Sequence, residues 1–157
     1  GRKGMLGLLT LLREEPTAEG GGATSLGSAI QSLNRMARRS RLVVIVSDFR
    51  GPRDWSSALV ELAGRHSVIA VEIQDPREQE IPDVGELWLV DPETGRQLRV
   101  DTRSKKLRER FANAAVQHRA EVDGMLARAG AQHVVLSTRG DWLRALAGFL
   151  NAKGTAR

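Results

Sequence analysis

Apolar runs of strand length alternate with amphipathic stretches along this chain. Three of these runs are rich in β-branched residues, at Leu42–Val46, Ser67–Ile73 and His133–Ser137. Such runs predict strands that are buried on both faces of a parallel sheet. Between them, apolar residues recur every three or four positions. That spacing predicts helices, because it places the apolar side chains on one helical face.

The helical pattern occurs five times. Its apolar positions are Met5, Leu8, Leu9 and Leu12, then Leu26, Ile30, Leu33 and Ala37, then Trp55, Leu59 and Leu62, then Leu107, Phe111, Ala115, His118, Val122, Met125 and Leu126, and finally Trp142, Leu146, Phe149 and Leu150. The fourth helix is predicted over Ser104–Arg128, with Gly130 ending it. Asp141 is predicted to cap the last helix, which should bury its four apolar residues.

The period changes between the second and third apolar runs. Leu87–Val90 and Gln97–Val100 flank a loop that contains Pro92 and Gly95, which predicts a β-hairpin. Strands that alternate with helices predict an α/β fold, with a Rossmann-like parallel sheet flanked by helices and this hairpin added. Three buried strands are few for such a sheet. We therefore expect residues 1–157 to form one partial domain that lacks its first strand, with an ordered core over 4–150 and a tail over 153–157.

The first apolar run ends in Ser47 and Asp48, and a glycine-rich loop ending in Thr24 comes about twenty residues earlier. Ligands collect at the carboxyl ends of strands in open α/β sheets. A carboxylate and a hydroxyl offer two of the oxygen ligands that a hard divalent cation needs. The pair therefore predicts half of a cation site. Alternatively, Asp48 caps the turn that leaves the strand, and Thr24 or its rival Ser25 caps the next helix.

The charge balance is basic, with 24 Lys and Arg against 19 Asp and Glu and a net charge of +5. The densest basic cluster is Arg35, Arg38, Arg39 and Arg41, which is either a solvated helix end or a docking surface for an acidic partner. The other charges are spread along the chain and tyrosine is absent, so we expect no nucleic-acid binding. No apolar run approaches the ~18 residues that a membrane span needs.

Nucleophilic catalysis finds little support in the sequence. The absence of cysteine excludes disulfides, zinc–thiolate sites and cysteine nucleophiles. Ser47 lies beside Asp48, but none of the histidines, His66, His118 and His133, belongs to a nucleophile motif. His118 falls on the apolar stripe of the long helix and is expected at the core or its boundary. No catalytic residue is predicted.

Several segments together resemble the domain-of-unknown-function 58 family. They are Thr24-Ser25-Leu26, Val44–Phe49, His66–Glu78 with its Asp75-Pro76-Arg77-Glu78 turn, Ile81–Gly85, Asp91–Gly95, Val100–Thr102 and Ser137–Asp141. The resemblance implies a von Willebrand factor A-like domain. It also implies a partner role beside a MoxR-type AAA+ ATPase, in the assembly or maturation of other proteins, and no defined reaction.

The resemblance further implies a metal-ion-dependent adhesion site that holds magnesium or manganese. Thr24 and Asp48 match its threonine and its aspartate ligands. The Asp-x-Ser-x-Ser portion of that site is absent from this sequence. We therefore expect the cation to bind in the full-length domain and not to bind firmly to this chain.

These observations predict a non-enzymatic protein-interaction module. The alternative is a magnesium-dependent Rossmann-like hydrolase or phosphoryl-transfer enzyme that uses Asp48. The expected location is cytoplasmic, with membrane association only through segments upstream of this chain. Without a first strand the Leu42–Val46 strand becomes an unpaired edge. We expect it to form a homodimer, to exchange strands, or to be covered by another segment.

Overall fold

The computed structural model describes residues 25–37, 39–90, 95 and 97–154. The described elements, in chain order, are α1 (Leu26–Met36), β1 (Leu42–Ser47), α2 (Trp55–Ala63), β2 (Ser67–Gln74), a 3-10 turn (Pro76–Glu78), β3 (Glu86–Val90), β4 (Gln97–Asp101), α3 (Lys105–Ala129), β5 (Gln132–Ser137) and α4 (Trp142–Gly154). The predicted helix at Met5–Leu12 lies outside the described residues.

Three strands form a parallel sheet in the order β1-β2-β5, and helices flank it. Leu42 pairs with Ser67 across β1 and β2, and Ile69 pairs with Gln132 across β2 and β5. Strands β3 and β4 form a separate antiparallel pair. The predicted α/β class, with a Rossmann-like sheet and an added hairpin, is confirmed.

One face of the sheet, the closed face, is covered by α1, α2 and α3. Leu59, Leu62, Val122 and Leu126 are completely buried there, and Ile45 of β1 packs into the same core. Burying a leucine side chain fully stabilises a fold by about 1.5–3 kcal/mol. The helix stripes predicted from periodicity therefore supply most of this core.

Among the described elements, only α4 packs on the opposite face, the open face. Leu146 and Phe149 of α4 pack there against the β2 and β5 side chains. Leu42, Val44 and Val46 of β1 are 63%, 54% and 63% exposed. The prediction that this strand is buried on both faces is therefore wrong for the described residues, because no described element covers this side of β1.

The same open face corrects the prediction for the last helix. Trp142 and Leu150 are about half exposed, at 53% and 48%, and only Leu146 and Phe149 are partly buried. The helix has the predicted apolar stripe. Part of that stripe projects beyond β2 and β5, where the described structure offers it no partner.

The predicted helix ends are confirmed. The Ser104 hydroxyl accepts from the Leu107 backbone N–H at 3.3 Å, and Gly130 ends α3 with φ of 75°. Only glycine adopts such a left-handed conformation without steric cost. The Asp141 carboxylate accepts from the Arg144 N–H at 2.9 Å and caps the start of α4.

Candidate functional site

The candidate site begins at the turn that follows β1. The Ser47 hydroxyl accepts from the Phe49 backbone N–H at 3.0 Å, and Asp48 Oδ1 accepts from the Arg50 N–H at 3.1 Å. Asp48 is exposed, and its second oxygen, Oδ2, has no partner among the described residues. The capping role weighed for Asp48 is thus observed, and it leaves one carboxylate oxygen available to a ligand.

Phe49 gives this turn its shape. It is the non-glycine residue with positive φ, 53°, in the described part of the chain, and its side chain is 1% exposed. Its ring meets the Trp55 ring edge-on, with centroids 5.2 Å apart. Such a conformation costs of order 1–3 kcal/mol and persists only where the surroundings impose it. Burial of Phe49 beside Trp55 therefore holds the adjacent Asp48 at the surface.

The start of α1 forms the second wall of the site. The Ser25 hydroxyl caps α1 by accepting from the Ser28 N–H at 3.0 Å, and it donates to Asp54 Oδ2 at 2.6 Å. A Cβ on Gly27 would lie only 2.6 Å from the Asp54 carboxylate, so glycine permits this approach. Ser25 is therefore the cap of α1. Thr24 lies outside the described residues, immediately before Ser25.

Asp54 was not singled out by the sequence. It precedes α2, where an aspartate ordinarily caps the helix, yet its side chain makes no cap hydrogen bond. Its partner Ser25 is 29 residues away in sequence. The contact depends on how α1 and α2 pack, and a local pattern carries no signal for it.

A cavity of about 320 Å³ lies between these two walls. Its lining residues are Leu26, Ala29, Val46, Ser47, Asp48, Phe49, Gly51, Pro52 and Trp55. The buried Trp55 indole nitrogen has no hydrogen-bond partner among the described residues. The cavity therefore combines an apolar base with one exposed carboxylate at its rim.

The donor chemistry matches a hard cation, but the number of donors does not. Magnesium prefers octahedral oxygen coordination and needs several ligands. Within the described residues, no group of three or more His, Cys, Asp or Glu side chains is placed to hold a metal. Asp48 and its neighbours do not form a complete metal site in this part of the chain.

Asp48 also borders a second cavity, of about 240 Å³, between the carboxyl ends of β1 and β2 and the middle of α3. Arg50 forms an ion pair there with Glu78 at 3.1 Å. His118 and Arg119 of α3 are half-buried along its wall. His118 thus lies at the core boundary, as expected, rather than beside Ser47.

A partly buried polar network lies beside this second cavity. His133 Nε2 lies 2.8 Å from Glu72 Oε2, and His133 Nδ1 lies 3.0 Å from Asp123 Oδ1. Gln74 donates to the other Glu72 oxygen at 2.6 Å. The network joins β2, β5 and α3. Sequence patterns missed it because Glu72 and His133 are 61 residues apart.

The remaining histidine also has a structural role. The His66 ring nitrogen Nδ1 accepts from the Arg41 backbone N–H at 3.2 Å, and the residue is buried. The histidines of this chain are therefore placed immediately before β2, on α3 and in the polar network. The described structure assembles none of them with Ser47.

The predicted arginine cluster, called the arginine segment below, runs from the last turn of α1 to the residue before β1. Arg35, Arg39 and Arg41 are exposed, and Arg38 lies outside the described residues. Arg35 donates to the Ser32 hydroxyl at 2.9 Å. Among the described residues, the side chains of Arg39 and Arg41 have no hydrogen-bond or ion-pair partner. They are accessible to an acidic surface.

None of the described helices is both long and apolar enough to span a membrane. No solved structure matches the chain significantly. The chain is 39% identical over 148 residues to the uncharacterized protein MAV169 of Mycobacterium avium, which covers 93% of this chain and 86% of that protein. It is also 39% identical over 155 residues to the uncharacterized proteins Rv1480 of Mycobacterium tuberculosis and Mb1516 of Mycobacterium bovis.

The last two matches cover 98% of this chain but only 48% of each relative, so the chain spans about half of their length. The sequence model of a family described as "Protein of unknown function DUF58" matches residues 1–121. That match includes the turn with Asp48, the arginine segment and most of α3. The chain belongs to the DUF58 family.

Proposed function

We propose that this chain is part of a non-enzymatic protein-interaction module that acts with a MoxR-type AAA+ ATPase in the assembly or maturation of other proteins. The observation that carries the proposal is the exposed Asp48 carboxylate at the carboxyl end of β1. One of its oxygens is fixed by the turn and the other is open. A carboxylate that is held in one position and keeps one oxygen without a partner is suited to binding a ligand or a partner protein.

In the longer protein, Thr24 and Asp48 would contribute oxygen ligands to magnesium or manganese, and residues outside the described part would supply the rest. The bound cation would attract a partner's carboxylate. The role of Phe49 and Trp55 is to hold Asp48 at the rim of the cavity. A site of this kind is what the resemblance to the family implies for Thr24 and Asp48.

The arginine segment provides a second, independent contact in this proposal. Arg35, Arg39 and Arg41 are exposed near the amino end of β1, whereas Asp48 lies at its carboxyl end. An acidic partner surface would dock on the arginines with an affinity that falls as salt rises. The two contacts therefore differ in chemistry, one depending on the cation and the other on ionic strength.

The test measures binding between the ATPase and a longer protein of the length of Rv1480 that contains this domain, while magnesium is titrated. Asp48→Asn keeps the turn acceptor but removes the charge. We expect it to weaken magnesium-stimulated binding about 100-fold, since even outer-shell partners of a metal ligand contribute 10–100-fold. Charge reversal of Arg38 and Arg39 should weaken binding at every magnesium concentration.

Asp75→Asn is the matched control. Asp75 follows β2 as Asp48 follows β1, and its carboxylate likewise accepts from the backbone N–H two residues later, at 2.9 Å from Arg77 N. It lines neither of the cavities that Asp48 borders. Equal binding by wild type and Asp48→Asn would contradict the proposal. Turnover of a phosphoester by the intact protein, lost in Asp48→Ala, would favour the enzymatic alternative instead.

A further inference from the structure

The side of α3 that borders the second cavity, the α3 wall, carries two basic side chains without a partner. The wall consists of Phe111, Ala114, Ala115, His118 and Arg119. These residues share one face of the helix, because residues three, four, seven and eight positions apart lie on the same side. His118 and Arg119 are partly buried, and neither forms a hydrogen bond or an ion pair with another described residue. Polar groups that are withdrawn from water normally have a partner in a folded protein.

Arg119 differs in this respect from the other partly buried arginines. Among the described residues these are Arg53 and Arg108. Arg53 forms an ion pair with Glu121, and Arg108 forms one with Asp83 at 3.0 Å. A carboxylate therefore compensates each of these two cations, whereas the guanidinium of Arg119 meets the cavity instead.

His118 differs from the other histidines in the same way. His66 accepts from the Arg41 backbone N–H at 3.2 Å, and His133 lies 2.8 Å from the Glu72 carboxylate. His118 makes no such contact within the described part of the chain. The unpartnered histidine and the unpartnered, partly buried arginine are therefore adjacent in sequence and border the same cavity.

The acidic side chains of the cavity are engaged elsewhere. Glu72 belongs to the polar network and also accepts from Gln74 at 2.6 Å. Glu78 forms an ion pair with Arg50 at 3.1 Å. Asp48, at the end of β1, forms no ion pair with a described residue of the α3 wall. A ligand that carries its own carboxylate would therefore find unoccupied hydrogen-bonding groups on this wall.

The rest of the cavity limits the size and character of such a ligand. Phe111 and Ala115 give the α3 wall an apolar part, and Ile73 of β2 also lines the cavity. The volume of about 240 Å³ is below the roughly 300–1,000 Å³ of pockets that hold drug-sized ligands. The cavity therefore suits a small group that combines one charge with a short apolar portion.

We propose that the second cavity binds a carboxylate on a short aliphatic stem. The planar guanidinium of Arg119 donates to the carboxylate oxygens, and the imidazole of His118 donates to one of them. The stem packs on Phe111. A free small carboxylate and the glutamate side chain of a partner protein share this chemistry. The proposal depends neither on the cation nor on the ATPase of the proposed function.

The test is a titration of this chain with sodium butyrate at constant ionic strength, followed by nuclear magnetic resonance. We expect saturable shifts of the Ala115 methyl and His118 ring signals, with a dissociation constant on the order of 1 mM for so small a ligand. Arg119→Gln should weaken binding about tenfold or more, because it removes a charged hydrogen-bond donor. Arg110→Gln is the matched control, since Arg110 is exposed on the opposite face of α3 and does not line the cavity.

Butylamine, which has the same stem and the opposite charge, tests the acidic side chains of the cavity. Binding of butylamine without binding of butyrate would show that Asp48 and Glu72 set the preference, and the proposal would be wrong. The absence of saturable butyrate shifts, or equal butyrate affinity of wild type and Arg119→Gln, would also overturn it. Circular dichroism melting shows whether Arg119→Gln is folded, and His118→Gln provides a second variant if it is not.

A blocked peptide with a single glutamate distinguishes the two sources of the carboxylate. Tighter binding of the peptide than of butyrate would support the proposal with a partner protein's glutamate as the occupant. Tighter binding of butyrate would support it with a free small carboxylate as the occupant. In both cases Arg119→Gln should weaken binding and Arg110→Gln should not.

Discussion

The two faces of the three-stranded sheet carry similar apolar side chains but differ in how far they are covered. Three helices cover the closed face, where Leu59 and Leu62 of α2 are completely buried. Within the part of the chain that the structure describes, one helix covers part of the open face, and Leu42 of β1 is 63% exposed there. The difference shows that an apolar pattern in the sequence predicts which surface can be buried. How much that surface stabilises the fold depends on the element that packs on it.

The largest expected difference in stability between the two faces comes from replacing one leucine on each face with alanine. Leu59→Ala should lower the free energy of unfolding by about 4 kcal/mol, since it removes a buried side chain and leaves a cavity. Leu42→Ala should lower it by less than about 1 kcal/mol, because most of that side chain already contacts water. Denaturant unfolding measures both values. Similar losses for the two variants would show that the open face is covered in solution.

The second prediction concerns charge on the closed face. Glu72 and His133 are 7% and 14% exposed, whereas Asp123, on the other side of the imidazole, is 67% exposed. His133→Ala should destabilise the fold by about 3 kcal/mol, because it leaves one oxygen of the buried Glu72 carboxylate without its imidazole partner. Asp123→Asn should cost less than about 1 kcal/mol, since Asp123 is exposed and contacts between exposed polar groups contribute little.

Thermal melting of the two variants gives the comparison. If His133→Ala and Asp123→Asn lower the melting temperature equally, the buried Glu72 is stabilised without His133 and the closed face does not depend on this pair. A larger effect of His133→Ala would show that the packing of β2, β5 and α3 depends on a polar contact inside an otherwise apolar face.

The helices and strands of both faces could be predicted from the local sequence pattern, whereas the burial of their side chains could not. The long helix α3 was predicted from its apolar stripe, and Gly130 from its position after that stripe, because both signals lie within a few turns of chain. The exposure of Trp142 was not predicted. It depends on whether a neighbour lies above the far side of α4, and the periodicity of a helix contains no information about its neighbours.

The residues of the candidate site also divide into those that the local sequence predicted and those that it missed. Asp48 was predicted because a strand end is a local feature, whereas Asp54 was missed because its contact with Ser25 depends on the packing of α1 against α2. The positive φ of Phe49 was also missed, because phenylalanine rarely adopts it and only burial beside Trp55 imposes it. Local sequence therefore identified the exposed ligand candidate and not the shell that positions it.

The smallest predicted effect on stability comes from substituting one glycine on each face of the sheet. Gly27 lies in α1 on the closed face, where an added Cβ would meet the Asp54 carboxylate at 2.6 Å and its backbone carbonyl carbon at 2.9 Å. Gly148 lies in α4 on the open face, and nothing lies within 4 Å of an added Cβ there. The two helices therefore differ in how closely they are packed.

Gly27→Ala should lower the free energy of unfolding by about 1–3 kcal/mol, because Asp54 and the start of α2 must move. Gly148→Ala should raise it by up to about 1 kcal/mol, because alanine is the better helix former and meets no neighbour. Denaturant unfolding of both variants checks the opposite signs. A destabilising Gly148→Ala would mean that α4 has close neighbours in solution, and the contrast between a packed closed face and an uncovered open face would then be wrong.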